Sequence, residues 1–205
     1  MNDDLRLAGR LLTGVRDKVR RYCGLSWTGG GNETWAYRYY DTVQTDPNRL
    51  DPVDVLSAAS LHPGLSQRDL AYFAEKVPLI EGWLSDVPMD VDLADAGDDL
   101  VDLLAVPLGW PGAPTPTLLS KVLHRKRPQL IPLVDRHVLD WYRPVTGERT
   151  AVAAWRPLLE ALRDDVGGDN AVVLSALERD LQPELVSMPS PLRLVDISLW
   201  MVGRP

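Results

Sequence analysis

The chain has one cysteine, Cys23, and one phenylalanine, Phe73. It has no apolar run near the ~20 residues that a membrane-spanning helix needs. A single cysteine excludes an internal disulfide framework and suits a reducing compartment. The first residues, MNDDLRLAGRLL, put acids where a signal peptide carries positive charge, so a cytoplasmic protein without a membrane partner is expected. No Gly-rich phosphate loop, Ser-His-Asp signature or Cys-His set is present. No cofactor or metal is therefore expected.

At 205 residues, 45% hydrophobic and 25% charged, the composition is that of an ordinary globular chain that can bury a core without staples. The formal net charge of -7 makes the protein as a whole repel nucleic acid. Any nucleic-acid binding must come from a local patch. Seven tryptophans stand against the single phenylalanine. Trp27, Trp35, Trp83, Trp155 and Trp200 lie among apolar neighbours and read as core. Trp110, in a Gly/Pro-rich loop, and Trp141 are the exceptions, and are candidates to line a pocket.

Helical periodicity dominates and strand signals are nearly absent. Residues 4–22 carry Leu5, Leu11, Leu12, Val15 and Val19 on one side, which predicts a first helix. The stretch SWTGGGNET reads as a connection ending in a cap at Asn32 or Thr34, before a short aromatic helix over TWAYRYYDTV. Asp51-Pro52 predicts a helix start that His62-Pro63-Gly64 closes. Ser66 with Asp69 predicts a capping box, and Pro78 a kink or restart in the helix that follows. Asp86, Asp90, Asp92, Asp95, Asp98, Asp99 and Asp102 crowd one segment. They read as a solvated loop with helix N-terminal acids, since they lack the spacing and glycine of a calcium loop. An apolar helix, a Gly/Pro turn and a helix starting at Thr115 or Thr117 follow, ended by Pro128. QLIPLV is proline-broken and predicts a buried loop. Asp135 opens the next helix, and three more complete the chain, the last apolar nearly all round and so central. The prediction is a single all-α domain over 1–205, with about eight to ten short helices.

The most informative stretch runs from Leu118 to Tyr142. It gathers Lys121, Arg125, Lys126, Arg127 and Arg136, with His124 and His137, and delivers Asp135 at a helix start. A concentrated positive patch in an acidic chain points to an anionic partner, and the four cations from Lys121 to Arg127 are candidate phosphate ligands. The same cluster also reads as cations at a helix C-terminus, favoured by the dipole, or as partners of the Asp-rich segment. Asp135 is either a helix cap, a catalytic carboxylate, or both. Arg193 and Asp196, inside the apolar last helix, read as a buried ion pair.

Over residues 97–142 the order helix, tight Pro/Gly turn, helix, connector and aspartate resembles the helix-hairpin-helix DNA glycosylase superfamily. Leu133-Val134-Asp135-Arg136-His137-Val138 matches that family's catalytic segment. The resemblance implies that Asp135 is the catalytic aspartate of a monofunctional N-glycosylase-like hydrolase that flips a base into a pocket. Trp110 or Trp141 would line that pocket, and DNA would be held through the basic patch. Schiff-base chemistry is not implied, because the family's lysine position falls on Thr117. The second hairpin glycine falls on Thr115, and Pro111, Pro114 and Pro116 offer no amide to phosphate.

Over most of its length the chain also resembles an uncharacterised family of small bacterial proteins. The shared phrases are Ser120-Lys121 through Leu123, Arg125-Lys126-Arg127-Pro128, Leu130-Ile131-Pro132 with Asp135, Leu192-Arg193-Leu194-Val195-Asp196, and Leu199-Trp200-Met201. Two functional expectations result. One is a nucleic-acid-binding protein with a glycosylase-like site at Asp135. The other is a non-catalytic helical protein that binds a protein partner or a small anion.

Overall fold

The computed structural model describes residues 3–25, 36–61 and 64–202. The expectations for Trp27, Trp35, the cap at Asn32 or Thr34 and the His62-Pro63 stop lie outside these residues.

The chain opens with a hairpin where the sequence predicted helix. Strands β1 (Leu5–Leu7) and β2 (Arg10–Leu12) pair antiparallel with Leu5 opposite Leu12 and Leu7 opposite Arg10. Ala8 (φ 50°) and Gly9 (φ 73°) form the two-residue loop, and positive φ at both positions is what such a tight hairpin requires. Leu5, Leu7 and Leu12 face the core. Side chains from distant helices take up the exposed edge of this short ribbon. Asn170 accepts from the Arg6 amide (2.9 Å) and donates to its carbonyl (2.8 Å). Asp165 accepts from the Ala8 amide, and the Trp141 indole donates to the Leu7 carbonyl. Periodicity within 4–22 carries no sign of these partners, which lie more than 130 residues away.

Helix α1 (Val15–Tyr22) follows, then a π-helical turn over Tyr37–Asp41 in place of the expected aromatic helix. Helix α2 (Pro52–Ala59) starts at Asp51 with a complete capping box to Asp54. Helix α3 (Gln67–Asp86) starts at the Ser66/Asp69 box. It runs unbroken through Pro78, so the helix does not restart there. Pro78 and Ala74, the residue whose carbonyl it leaves unbonded, both face solvent, so water satisfies that group.

A 3-10 turn at Leu93–Asp95 leads to helix α4 (Asp98–Ala105). Its last carbonyls are used: the Trp83 indole donates to Leu103 O (3.0 Å) and the Trp155 indole to Leu104 O (2.9 Å). After a second 3-10 turn, Val106–Gly109, helix α5 (Pro116–His124) begins at the Thr115 cap. Helices α6 (Arg136–Thr146), α7 (Ala151–Val166), α8 (Gly168–Leu181) and α9 (Pro191–Trp200) complete the described chain. The fold is thus mostly helical with one small two-stranded sheet.

Helix α9 is central, as predicted, and packs on α1, α6, α7 and α8. Every residue from Leu192 to Leu199 is buried, and Ser190 caps the helix by accepting from the Arg193 amide. Helix α7 carries α4 and the Leu93–Asp95 turn on its other side. Among the described residues no helix is long and apolar enough to cross a membrane.

Candidate functional site

The site is built by three elements that the core holds rigidly. Helix α5 presents Lys121, the connector 125–134 feeds into the start of α6, and α9 presents Arg193 and Asp196. Leu130, Ile131, Leu133 and Val134 are buried, so the connector is the apolar loop expected from QLIPLV. Ser120 fixes its end: the hydroxyl accepts from the Val134 amide (3.0 Å) and donates to Thr117 O (3.2 Å). That sets the position of Asp135, the next residue.

Asp135 is the N-cap of α6. Its Oδ1 accepts from the amides of His137 (2.8 Å) and Val138 (3.0 Å). Among the described residues nothing donates to Oδ2. The residue lines a small cavity of about 30 Å³ together with Lys121, Asp196, Arg193, Tyr22 and Trp200. Lys121 is only 6% exposed, and of its three ammonium protons one is used, on Leu61 O (2.6 Å). Burial pulls its pKa down, while Asp196 and Asp135 pull it back up. Asp196 is buried beside Arg193. Desolvation outweighs the guanidinium, and its pKa is pushed up to about 7, with Asp135 adding to the rise. Five titratable groups, Asp135, Lys121, Asp196, Arg193 and Tyr22, thus converge on one cavity, four of them with shifted pKa, which marks a candidate site.

Arg193 is the hub behind this cavity. It pairs with Asp41 (2.7 Å) and Asp196 and donates to the Tyr22 hydroxyl. The sequence pointed to the Arg193 and Asp196 pair. It missed Asp41 and Tyr22, which lie 152 and 171 residues from Arg193 and join it only through packing of α1 and the π-helical turn against α9.

The expected surface patch is absent, and its cations are inside the protein. Lys126 is 2% and Arg127 3% exposed. Arg125 reaches Asp54 (3.1 Å), Tyr40 O and Val43 O. Lys126 pairs with Asp54 and donates to Thr45 Oγ1 (3.0 Å) and Asp46 O (2.9 Å). Arg127 donates to Pro47 O (2.7 Å), Val87 O (2.8 Å), Lys126 O (2.8 Å), Leu84 O and Asn48 Oδ1 (3.0 Å). These donors tie α5 to the 40–48 segment and to the end of α3. They do not pair with the Asp-rich segment, because their alkyl stems are inside the core and internal acceptors engage each head group.

Residues 15–203 match the model of DUF6308, described as a family of unknown function. The chain belongs to this family. The resemblance to an uncharacterised family therefore holds at family level. No curated protein and no solved structure matches the chain, so the glycosylase resemblance rests on its residues alone.

In this DUF6308 chain the two tryptophans proposed for the pocket are elsewhere. Trp110 packs edge-on against Trp83 (centroids 6.0 Å apart). Trp141 lies under the Arg10 guanidinium (3.8 Å) and bonds the hairpin. Trp200 is the tryptophan that lines the Asp135 cavity. Its place at the end of an apolar helix reads simply as core, so the sequence held no signal for it. Thr117, the position that carries lysine in bifunctional glycosylases, is on the first turn of α5. Among the described residues no three His, Cys, Asp or Glu converge as metal ligands.

Proposed function

We propose that the Asp135 cavity is the working site and that it serves hydrolysis at a sugar carbon, of the N-glycosidase kind, without a covalent lysine intermediate. The observation that carries this reading is the half-engaged Asp135 carboxylate. Oδ1 is anchored on two amides, which fixes the group, and Oδ2 is left to the cavity it shares with Lys121 and Asp196.

Breaking an N-glycosidic bond leaves the electron pair on the departing base and positive charge on the sugar. A fixed carboxylate beside that charge lowers the barrier. A cavity of about 30 Å³ suits a water-sized group. Asp135 Oδ2 orients the attacking water and accepts its proton as the new C–O bond forms; the departing base takes a proton from solvent water, and Asp135 returns its own to solvent. The reacting sugar carbon therefore meets the site at its mouth. Lys126 and Arg127 are buried with their donors engaged and offer nothing to backbone phosphates, so a nucleoside is as suitable a substrate as an oligonucleotide.

The test is release of free base from oligonucleotides holding uracil, hypoxanthine or an alkylated purine, and from the corresponding nucleosides. Wild type should release base from at least one, and Asp135→Asn should be slower by about 100-fold or more, the usual size of a general-base contribution. No release by wild type from any substrate, or equal rates in the variant, overturns the reading in favour of a non-catalytic binding protein.

A further inference from the structure

A second, larger cavity of about 240 Å³ lies on the far side of Arg193, which lines both. The π-helical turn and residues 43–45 form one wall, and the 187–190 segment before α9 forms another. His124 and Arg125, at the end of α5, close its inner face.

His124 is 4% exposed and its ring stacks on Tyr40, centroids 6.1 Å apart and 18° from parallel. Its Nδ1 lies 2.5 Å from the Ile131 carbonyl, which can only accept, so Nδ1 carries a proton. Burial pushes the ring's pKa down to about 3, so near neutral pH it carries that one proton and no other. Nε2 is then a bare acceptor. Among the described residues no donor reaches it. His124 lines the cavity, so a bound N–H or O–H can supply the donor that this ring nitrogen lacks.

The other wall groups set what such a ligand can be. Arg125 gives Nε to Asp54, Nη1 to Tyr40 O and Nη2 to Val43 O, which leaves one N–H on each terminal nitrogen. Arg125 shares Asp54 with Lys126, and Arg193 has both Asp41 and Asp196, so three cations face three acids. The cavity thus offers donors without net positive charge. A carboxylate or phosphate entering it loses hydration and gains no unmatched cation. An uncharged group that donates and accepts along one edge loses less and satisfies His124. The volume falls just below the usual range for drug-sized ligands and suits a single small ring.

We infer that this cavity binds a small uncharged ring compound with an amide or imide edge, its N–H donated to His124 Nε2 and its carbonyl accepting from Arg125. The site is separate from the Asp135 cavity, and its test is independent of base release.

The chain has three histidines, so the His124 ring nitrogens can be assigned by long-range proton–nitrogen NMR. Uracil serves as the imide probe and benzoate as an anion of similar size. Uracil should move the His124 Nε2 resonance saturably, and benzoate should leave it in place. Two variants report on the site. Gln44→Trp fills the mouth from an exposed position and should weaken uracil at least 10-fold at unchanged thermal midpoint. His124→Phe keeps the stack on Tyr40, removes the acceptor, and should abolish binding in calorimetry. An unmoved Nε2 resonance at saturating uracil, equal response to benzoate, or full affinity in Gln44→Trp each overturns the assignment. The first of these makes the cavity a hydration site only.

Discussion

Lys126 pairs with Asp54 in an ion pair from which solvent is wholly excluded, and Arg125 approaches the same carboxylate at 3.1 Å. One buried acid therefore holds two cations, and it also closes the capping box of α2 by accepting from the Asp51 amide. Removing the acid strands both cations. Asp54→Ala should destabilise the protein by about 3–5 kcal/mol, the usual cost of an uncompensated buried charge. Asp54→Asn keeps a side-chain oxygen for the cap and should cost less. Lys126→Met, which removes a cation but leaves Arg125 to match Asp54, should be the mildest of the three. Urea denaturation of the three variants checks the order, and equal loss in all would mean that the charge balance is not what matters.

Arg127 makes the second prediction. Leu84 and Val87, two of its acceptors, are carbonyls at the C-terminal end of α3, where the helix leaves acceptors unbonded and the dipole favours a cation. Its fork spans five acceptors on three stretches of chain. Lysine keeps the charge but cannot span them. Arg127→Lys should therefore cost about 2 kcal/mol, in line with loss of charged hydrogen bonds, and DNA affinity at low salt should not change. A variant of unaltered stability that binds DNA more weakly would reinstate the phosphate role expected from the sequence.

The first helix and the surface patch, two of the expectations that failed, did so for one reason. Helix starts at Asp51, Ser66, Thr115 and Asp135 were legible because a cap and its amides lie within three residues of each other. The buried QLIPLV loop was legible from its own proline and leucines. The hairpin at Leu5–Leu12 was not, because its edge is satisfied by Trp141, Asp165 and Asn170. The basic run was misread as surface because Asp54 and the carbonyls of 40–48 are far away in sequence, and charge alone gives no sign of burial. Half of the candidate site was local: Asp135 and the Arg193 and Asp196 pair. Its other half, Tyr22, Asp41 and Trp200, depends on how α1, the π-helical turn and α9 meet.

His124 and Asp196 should drive opposite pH dependences of stability. His124 has a folded pKa near 3 against an ordinary 6.5. Between those values the unfolded chain binds the extra proton, so this stabilising contribution is whole above 6.5 and is lost as pH falls. Asp196 is raised from 3.8 to about 7. Between those values the folded chain binds the extra proton, so its contribution is whole below 3.8 and is lost as pH rises. Urea midpoints from pH 4 to 6.5 should therefore climb less steeply in His124→Phe than in wild type, and more steeply in Asp196→Asn. Parallel profiles for all three proteins would show that neither group titrates with these shifts.

Ser120 is a positioning residue. Its hydroxyl is the acceptor for the Val134 amide, immediately before Asp135. Ser120→Ala leaves that buried amide unpaired, at about 1–3 kcal/mol, and frees the approach to α6. Wherever base release is measurable, kcat should fall with little change in KM, because the carboxylate is displaced while the outer contacts with the substrate remain. Ser120→Thr retains the hydroxyl and should restore kcat. A stability loss with kcat unchanged would confine Ser120 to a packing role.

The two oxygens of Asp135 can be separated by a pair of substitutions. Oδ1 caps α6, no described residue donates to Oδ2, and Asp135 lines the cavity. Asparagine is as good a cap as aspartate, and its oxygen can take the place of Oδ1 on the His137 and Val138 amides. Asp135→Asn should therefore leave the urea midpoint within about 0.5 kcal/mol of wild type, whereas Asp135→Ala should lose about 1 kcal/mol. Both should lose the negative charge beside Lys121, which currently raises that residue's pKa. Titration of Lys121 by NMR should then show a further fall in both variants. If Asp135→Asn were as unstable as Asp135→Ala while Lys121 stayed unmoved, the carboxylate would be a cap alone and the cavity would have no reason to work as a site.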